Sequence, residues 1–299
     1  MRFFKETNVP FVKFSRTAVT GSIIFLAISL ISIFLLKGLN YGIDFTGGTL
    51  AKVLFSNPTT VTEVRNALRT KNLQNSIIQK SSGKNEFQIR IPQEDIGGNI
   101  YNDIILSLSN IPKNTIVTDS TRVDYVGPKI GKELRTAAIW AIVSAIIVIG
   151  IYITIRFKFQ FAVGAVVALI HDVLFTLGIF SLLQLEISLS TIAAFLTIVG
   201  YSLNDTIVLY DRIRENIKKR RNEKIGDIIN ISINETLSRT VITSLTTLIV
   251  VVVLAFAPGE IRIFAIAMII GVIVGTYSSM FIAGPVVIYW QQKIHAKKK

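Results

Sequence analysis

The 299-residue chain contains no cysteine, so it forms no disulfide, offers no thiolate nucleophile and builds no cysteine-based metal site. Histidine is almost missing too. His171 and His295 are the only two, and neither falls in the polar stretch 40–133, whose carboxylates are scattered, so a hydrolytic or metal centre is not expected there. No catalytic group, metal or other cofactor is expected. Charged residues are only 17% of the chain, against roughly a quarter in a soluble domain, and the mean hydropathy is +0.55.

Long apolar runs take the place of that missing charge. Six of them, about 18–36, 136–155, 160–183, 187–209, 240–257 and 263–289, reach the roughly 18 to 20 residues that a helix needs to cross a bilayer. The first lies too far from the N-terminus, and is too long, for a secretory h-region. It also lacks a small-residue cleavage signal and reads as a retained anchor. An α-helical polytopic membrane protein is expected.

Basic residues set its orientation. Arg2, Lys5, Lys13 and Arg16 precede the first run, Arg156 and Lys158 follow the second, and Arg212 through Lys224 follow the fourth. Lys293 and Lys297 to Lys299 end the chain, whereas the turn at Gln184-Leu185-Glu186 holds no basic residue. By the positive-inside rule both termini are cytoplasmic. The expected order is a cytoplasmic segment 1–17, a span at 18–36 and an external domain at 37–133. Spans two to six follow over 134–290, with a basic cytoplasmic connection at 211–238, and a basic tail at 291–299. The net charge of +13 then reflects topology and contact with anionic lipid, not nucleic acid, since no basic patch carries interleaved aromatics.

The external segment alternates in pattern. Thr49 to Phe55 reads as a strand, and 60–71 as a helix opened by a Thr60/Glu63 capping box. Strands near 75–80 and 86–91 flank a Ser-Ser-Gly-Lys-Asn turn. Residues 94–109 form a second helix with Ile96, Ile100, Ile104 and Leu108 on one face, and 115–125 a last strand. The βαββαβ order is that of a small α+β, ferredoxin-like domain, suited to binding or force transmission.

Asp205 is the most telling residue. A carboxylate within an apolar run costs about 3 kcal/mol or more, so it faces a protein interior or a polar path and marks a functional site. Ser202, Asn204 and Thr206 surround it. His171 and Asp172 lie in the third run, where a proton path, interhelical hydrogen bonding or a position near water are all open. Adjacent helical residues point about 100° apart and do not chelate one ion together. Arg239 opens the fifth run and is placed to snorkel to the surface. Thr236, Thr240, Thr243 and Thr247 share one face there, fit to hydrogen-bond across helices or line a hydrated track. Gly271 and Gly275 follow small-xxx-small logic for close packing. At the exit from the first run, Gly42, Asp44, Gly47 and Gly48 suit a turn with an Asx-type bond from Asp44. Gly127, Pro128 and Gly131 bring the chain back to the membrane as either a hinge or a rigid linker.

These motifs, in this order, resemble the SecF proteins of the SecD/SecF preprotein-translocase family, relatives of the resistance-nodulation-division transporters. The resemblance rests on Gly42-Ile43-Asp44-Phe45-Thr46-Gly47-Gly48, on Val126-Gly127-Pro128 with Gly131, and on Val199 to Val208 continuing to Glu215. Thr236-Leu237-Ser238-Arg239-Thr240 and Gly275-Thr276-Tyr277-Ser278-Ser279 complete it. Glu235 departs from the pattern, standing where glutamine is expected, at an edge where an arginine can pair with it. The resemblance implies six spans of the resistance-nodulation-division type in a bacterial inner membrane. It also implies a proton-motive-force-driven role in completing export after SecA has pushed polypeptide through SecYEG. Its implied partners are SecD, SecYEG, SecA indirectly, YajC and the translocating preprotein. The family's intramembrane Asp and Arg fall on Asp205 and Arg239, which makes Arg239 a charge partner and assigns a proton pathway to Asp205, Arg239, Asn204, Ser202, Thr240, Thr243, His171 and Asp172.

Three rivals differ in class. A small-molecule or lipid exporter of that superfamily is expected to be about twice as long. A non-transporting assembly subunit needs no intramembrane Asp. An intramembrane protease would need Asp172 with Asp205, or Ser202, as catalytic groups, but Asn204 stands where a nucleophile elbow requires glycine.

Overall fold

A computed structural model describes residues 7–71, 73, 76–80, 85–91, 100–111, 116, 117 and 121–296. The chain begins with α1 (Phe11–Ile31), which continues as a π-helical turn over Ser32–Leu36. It then forms β1 (Asn40–Tyr41), α2 (Ile43–Thr46), β2 (Gly48–Leu54), α3 (Val61–Leu68), β3 (Ile77–Lys80), β4 (Glu86–Ile91), α4 (Ile100–Ser109) and β5 (Arg122–Val126). The remainder is α5 (Pro128–Arg156), α6 (Phe159–Leu183), β6 (Glu186–Ile187), α7 (Leu189–Lys219), α8 (Ile225–Leu254), α9 (Glu260–Ser278), a π-helical turn at Ser279–Ala283 and α10 (Gly284–Ala296).

Six helices, Phe11–Leu36, Pro128–Arg156, Phe159–Leu183, Leu189–Lys219, Ile225–Leu254 and Glu260–Gln291, are long and apolar enough to cross a membrane. Each matches one of the six runs, but most extend beyond it, and the fourth begins at Leu189, two residues into its run. The clearest difference concerns Arg239, which lies in the middle of α8 and does not open it. Residues 225–238 are helical because they are amphipathic. Ile228, Ile229 and Ile233 are buried while Asn230, Asn234 and Glu235 alternate with them, which hides the helix from a search for unbroken apolarity. Likewise 211–219 continues α7, leaving only 220–224 between helices.

α6, α7 and α9 form the centre of the bundle, and α1, α5 and α8 flank it with large apolar faces exposed. The inward face of α1 is built from small hydroxyls. Ser15, Ser22, Ser29 and Ser32 are buried, while Phe34, Leu35 and Leu36 point outward. Without a hydrophobic drive between helices in lipid, close approach and hydroxyl bonds hold the interface. A Cβ at Gly178 would lie 2.0 Å from Ser29 Oγ, and Ser32 Oγ meets Ser181 Oγ at 2.8 Å.

The expected βαββαβ domain is present. Its sheet runs β3-β4-β2-β5, antiparallel throughout, and packs Ala51, Val53, Phe87, Ile89 and Ile91 against Val64 and Leu68 of α3 and Ile104 and Leu108 of α4. Ile96, the Ile100 side chain and most of the Ser-Ser-Gly-Lys-Asn turn fall outside the described residues. Thr60 caps α3 reciprocally with Glu63, and the Thr60 backbone N–H and hydroxyl hold the Glu63 carboxyl below the ordinary carboxylate range.

Candidate functional site

Asp205 sits midway along α7 and is buried, and its Oδ2 has no hydrogen-bond partner among the described residues. One turn earlier on the same face, Tyr201 Oη is also buried and unpartnered. Such orphaned groups are uncommon and call for an explanation. Arg239 is exposed on α8, and no ion pair within 4.0 Å joins it to Asp205. Asn204 is exposed on α7.

Both oxygens of the other intramembrane carboxylate are engaged. Asp172 Oδ2 accepts from Ser202 Oγ at 2.6 Å and from Ser278 Oγ at 2.8 Å, while Oδ1 meets His171 Nδ1 at 2.9 Å. The hundred-degree offset between helical neighbours therefore does not keep these two side chains apart. Both are almost fully buried. The chain of contacts continues outward from α6. His171 Nε2 meets Ser22 Oγ at 3.1 Å, Ser22 Oγ meets Tyr277 Oη at 2.9 Å, and Tyr277 Oη donates to Ala18 O at 2.7 Å. Four helical segments, α1, α6, α7 and α9, are thus tied to one node.

The hydrogens in this chain can be counted. The contacts Asp172–His171, His171–Ser22, Ser22–Tyr277 and Tyr277–Ala18 need four. A neutral imidazole supplies one, and the two hydroxyls supply two more. The fourth comes from one further hydrogen on the His171–Asp172 pair, carried either by the imidazole or by Asp172 Oδ1.

Small residues make this geometry possible. A Cβ at Gly271 would lie 2.2 Å from Ile198 Cγ1, and one at Gly275 would lie 2.9 Å from Ser202 Cβ. The glycines are close-packing positions, as their spacing suggests. Ser278 ends α9, where the helix passes into the π-helical turn Ser279–Ala283, a form that often marks functional sites. Gly275→Ala is expected to push Ser202 off Asp172 and to cost about 1–3 kcal/mol as overpacking, read as a lower melting temperature of the purified protein.

The threonine face of α8 is bonded partly within its own helix. Thr236 and Thr247 hydroxyls bond back to carbonyls of their own helix, and the cross-helix bond runs from the flanking Ser244 to Thr276 at 2.7 Å. Thr240 is buried and Thr243 half-buried on that face. Glu235 does pair with an arginine: it accepts from Arg212 Nε and Asn216 Nδ2, each at 2.6 Å.

At the far end of the bundle the glycine-rich segment is clamped. Gly42 N–H donates to Ile187 O at 2.8 Å, continuing the parallel β1–β6 pairing, and a Cβ there would strike Glu186. Asp44 does not close a local Asx turn. Its Oδ2 accepts from Leu189 N–H at 2.8 Å, so it helps to cap α7, which Ser188 and Thr191 also cap. Gly47 and Gly48 take φ of 76° and 129°, conformations that suit glycine. Gly127 is the only residue between β5 and α5, Pro128 is the first residue of α5, and a Cβ at Gly131 would lie 3.0 Å from Phe45 O. Arg90 of the domain is ion-paired with Glu186, with both side chains largely buried. Ser22, Tyr277 and Ser278 were not singled out from sequence as site residues, although the seven-residue spacing of Ser15, Ser22 and Ser29 was available as a signal.

Residues 108–293 match the family described as "Protein export membrane protein SecD/SecF, C-terminal", and residues 32–59 match "SecD/SecF GG Motif". A protein translocase subunit SecF from Vibrio alginolyticus is 43% identical over 281 residues, 93% of this chain and 88% of that protein. Another from Desulfurispirillum indicum is 44% identical over 100% of this chain and 96% of its own length. Among solved structures, SecDF from Thermus thermophilus superposes with a TM-score of 0.85 at 36% identity, and SecDF in a super-membrane-facing form with 0.74 at 35%. This chain covers 96% and 99% of itself in those two matches but spans only 39% and 40% of the SecDF chains.

Proposed function

The chain belongs to the SecD/SecF family of protein export membrane proteins, and on that premise we propose that it is the SecF-type half of an ion-driven export machine. It is a multi-pass membrane protein. The reading places it in a bacterial inner membrane with residues 1–17 and 291–299 cytoplasmic and 37–133 periplasmic. Its partner is a SecD-type chain, in keeping with a span of two fifths of a SecDF chain. SecYEG, SecA and YajC are proposed as the wider assembly, and its work is transport rather than catalysis.

One observation carries the ion-coupling role. Both oxygens of Asp172 are hydrogen-bonded, but Asp205 has a buried oxygen with no partner among the described residues. Asp205 can therefore gain or lose a proton without breaking a hydrogen bond. A carboxyl alone in hydrocarbon keeps its proton, and one beside a guanidinium gives it up. A helix shift that brings Arg239 onto Asp205 and removes it again would drive that cycle. Ser202, Thr240, Thr243, His171 and Asp172 lie along the proposed path, and Asn204 on the exposed face. The domain would follow such a shift as a lever, because Arg90–Glu186 and the Gly131 contact tie it to the ends of α5 and α7.

The test is export completion in proteoliposomes holding this chain, a SecD-type partner and the translocon, under an imposed pH gradient, an imposed Na⁺ gradient, or neither. Faster completion under the pH gradient alone is expected. Equal rates in all three would remove the proposal, and a response to Na⁺ alone would reassign the ion.

A further inference from the structure

Two crevices on the α1 side of the bundle join end to end. Near the start of α1 lies a basin of about 1120 Å³ whose wall carries Lys13 and Arg16, with Asp227 and Asn230 of α8 opposite. Deeper along α1 lies a groove of about 500 Å³ between α1, α6 and α10, lined by Ile23, Leu26, Val167, Ile170 and Leu174. Val19, Pro285 and Tyr289 line both, so the two form one cleft. Lys293 lies 5.8 Å over the Tyr289 ring at the shared wall, giving three cations against the single Asp227 carboxylate.

A cationic mouth that leads into an apolar slot fits an amphiphile with an anionic head. The slot is too small for a helix: a cylinder about 10 Å wide and 30 Å long occupies roughly 2,400 Å³. One acyl chain is of the right order. The charged mouth lies at the end of the bundle where α1 begins and α7 ends, level with a headgroup layer rather than with the hydrocarbon core.

We propose that this cleft binds one anionic phospholipid. Its phosphate sits between Lys13 and Arg16, and one acyl chain lies along Ile23, Leu26, Val167 and Ile170. The consequence reaches the polar node, because Ser22 and His171 form part of the groove wall. An acyl chain there closes the His171–Ser22–Tyr277 arm on its lipid side, keeping water and stray protons from that flank.

Native mass spectrometry of the delipidated full-length chain, titrated with phosphatidylglycerol or phosphatidylcholine, tests this. One phosphatidylglycerol is expected to bind in preference to phosphatidylcholine. Tail-free glycerol 3-phosphate at equal concentration is expected not to bind. Each basic residue near the surface is worth roughly fivefold in affinity, so Lys13→Ala with Arg16→Ala is expected to weaken binding about 30-fold. Both residues are exposed, so folding is not at stake. Leu26→Trp, which fills the slot, is expected to remove the bound lipid, and exposed Lys218→Ala with Arg221→Ala to leave it in place. Equal loss in the Lys218/Arg221 control, equal binding of the zwitterionic lipid, or binding of glycerol 3-phosphate alone would overturn the site. So would a protein partner that excludes lipid from the cleft in the assembled complex.

Discussion

Asp205→Asn is expected to abolish the gradient-dependent part of export while leaving the chain folded and bound to its partner. Asparagine keeps the size and polarity of the side chain, and Oδ2 of Asp205 has no bond to lose. What disappears is the capacity to become an anion. One charge moved through the membrane potential is worth about 2.3 kcal/mol per 100 mV, hence about 4–5 kcal/mol at roughly 200 mV. Swinging a two-state element from 1:99 to 99:1 takes about 5.5 kcal/mol. A single proton per cycle is thus about the size needed to rock the domain, and losing it leaves no comparable drive. The measurement is the rate of export completion in vesicles with and without a gradient, alongside co-purification of the partner. Wild-type gradient dependence in the Asn variant would sink the coupling role of Asp205. An unassembled variant would show instead that its role is structural.

Much of this was legible in the chain because the physics is local. Unbroken apolar runs long enough for a bilayer mark six helices, and alternation with a capping box marks the βαββαβ domain. Asp205 and Asp172 stand out because a carboxylate is expensive in an apolar run. What escaped was non-local or diluted. Helix α8 starts 15 residues before its apolar run because its first turns bury only one stripe. Asp44 looks like a turn residue by sequence, and only the fold reveals Leu189 N–H as its partner, 145 positions away. Ser22 and Ser278 are small hydroxyls in apolar helices, where serine carries little signal alone. Their meaning comes from converging on His171 and Asp172.

That convergence sets a second large effect, of a different kind from the first. Asp172→Ala removes the shared acceptor of Ser202, Ser278 and His171. Interhelical hydrogen bonds in membranes are worth about 0.6–1.7 kcal/mol each, so losing the two from Ser202 and Ser278 costs about 1–3 kcal/mol, before the His171 contact within α6 is counted. A clear fall in melting temperature is expected, in contrast to Asp205→Asn. Asp172→Asn separates packing from protonation. Its amide oxygen can still accept from both serines, but its NH₂ then faces His171 Nδ1, which must act as an acceptor. The imidazole is fixed with its single hydrogen on Nε2, the amide supplies the hydrogen of the first contact, and the arm is complete with His171 neutral and no place for a further proton. This variant is expected to melt near the wild-type temperature yet export poorly under a gradient. Nitrogen NMR of labelled histidine would report the locked tautomer. If Asp172→Asn exports normally with His171 held neutral, the arm is a structural tie and the proton cycle belongs to Asp205 alone.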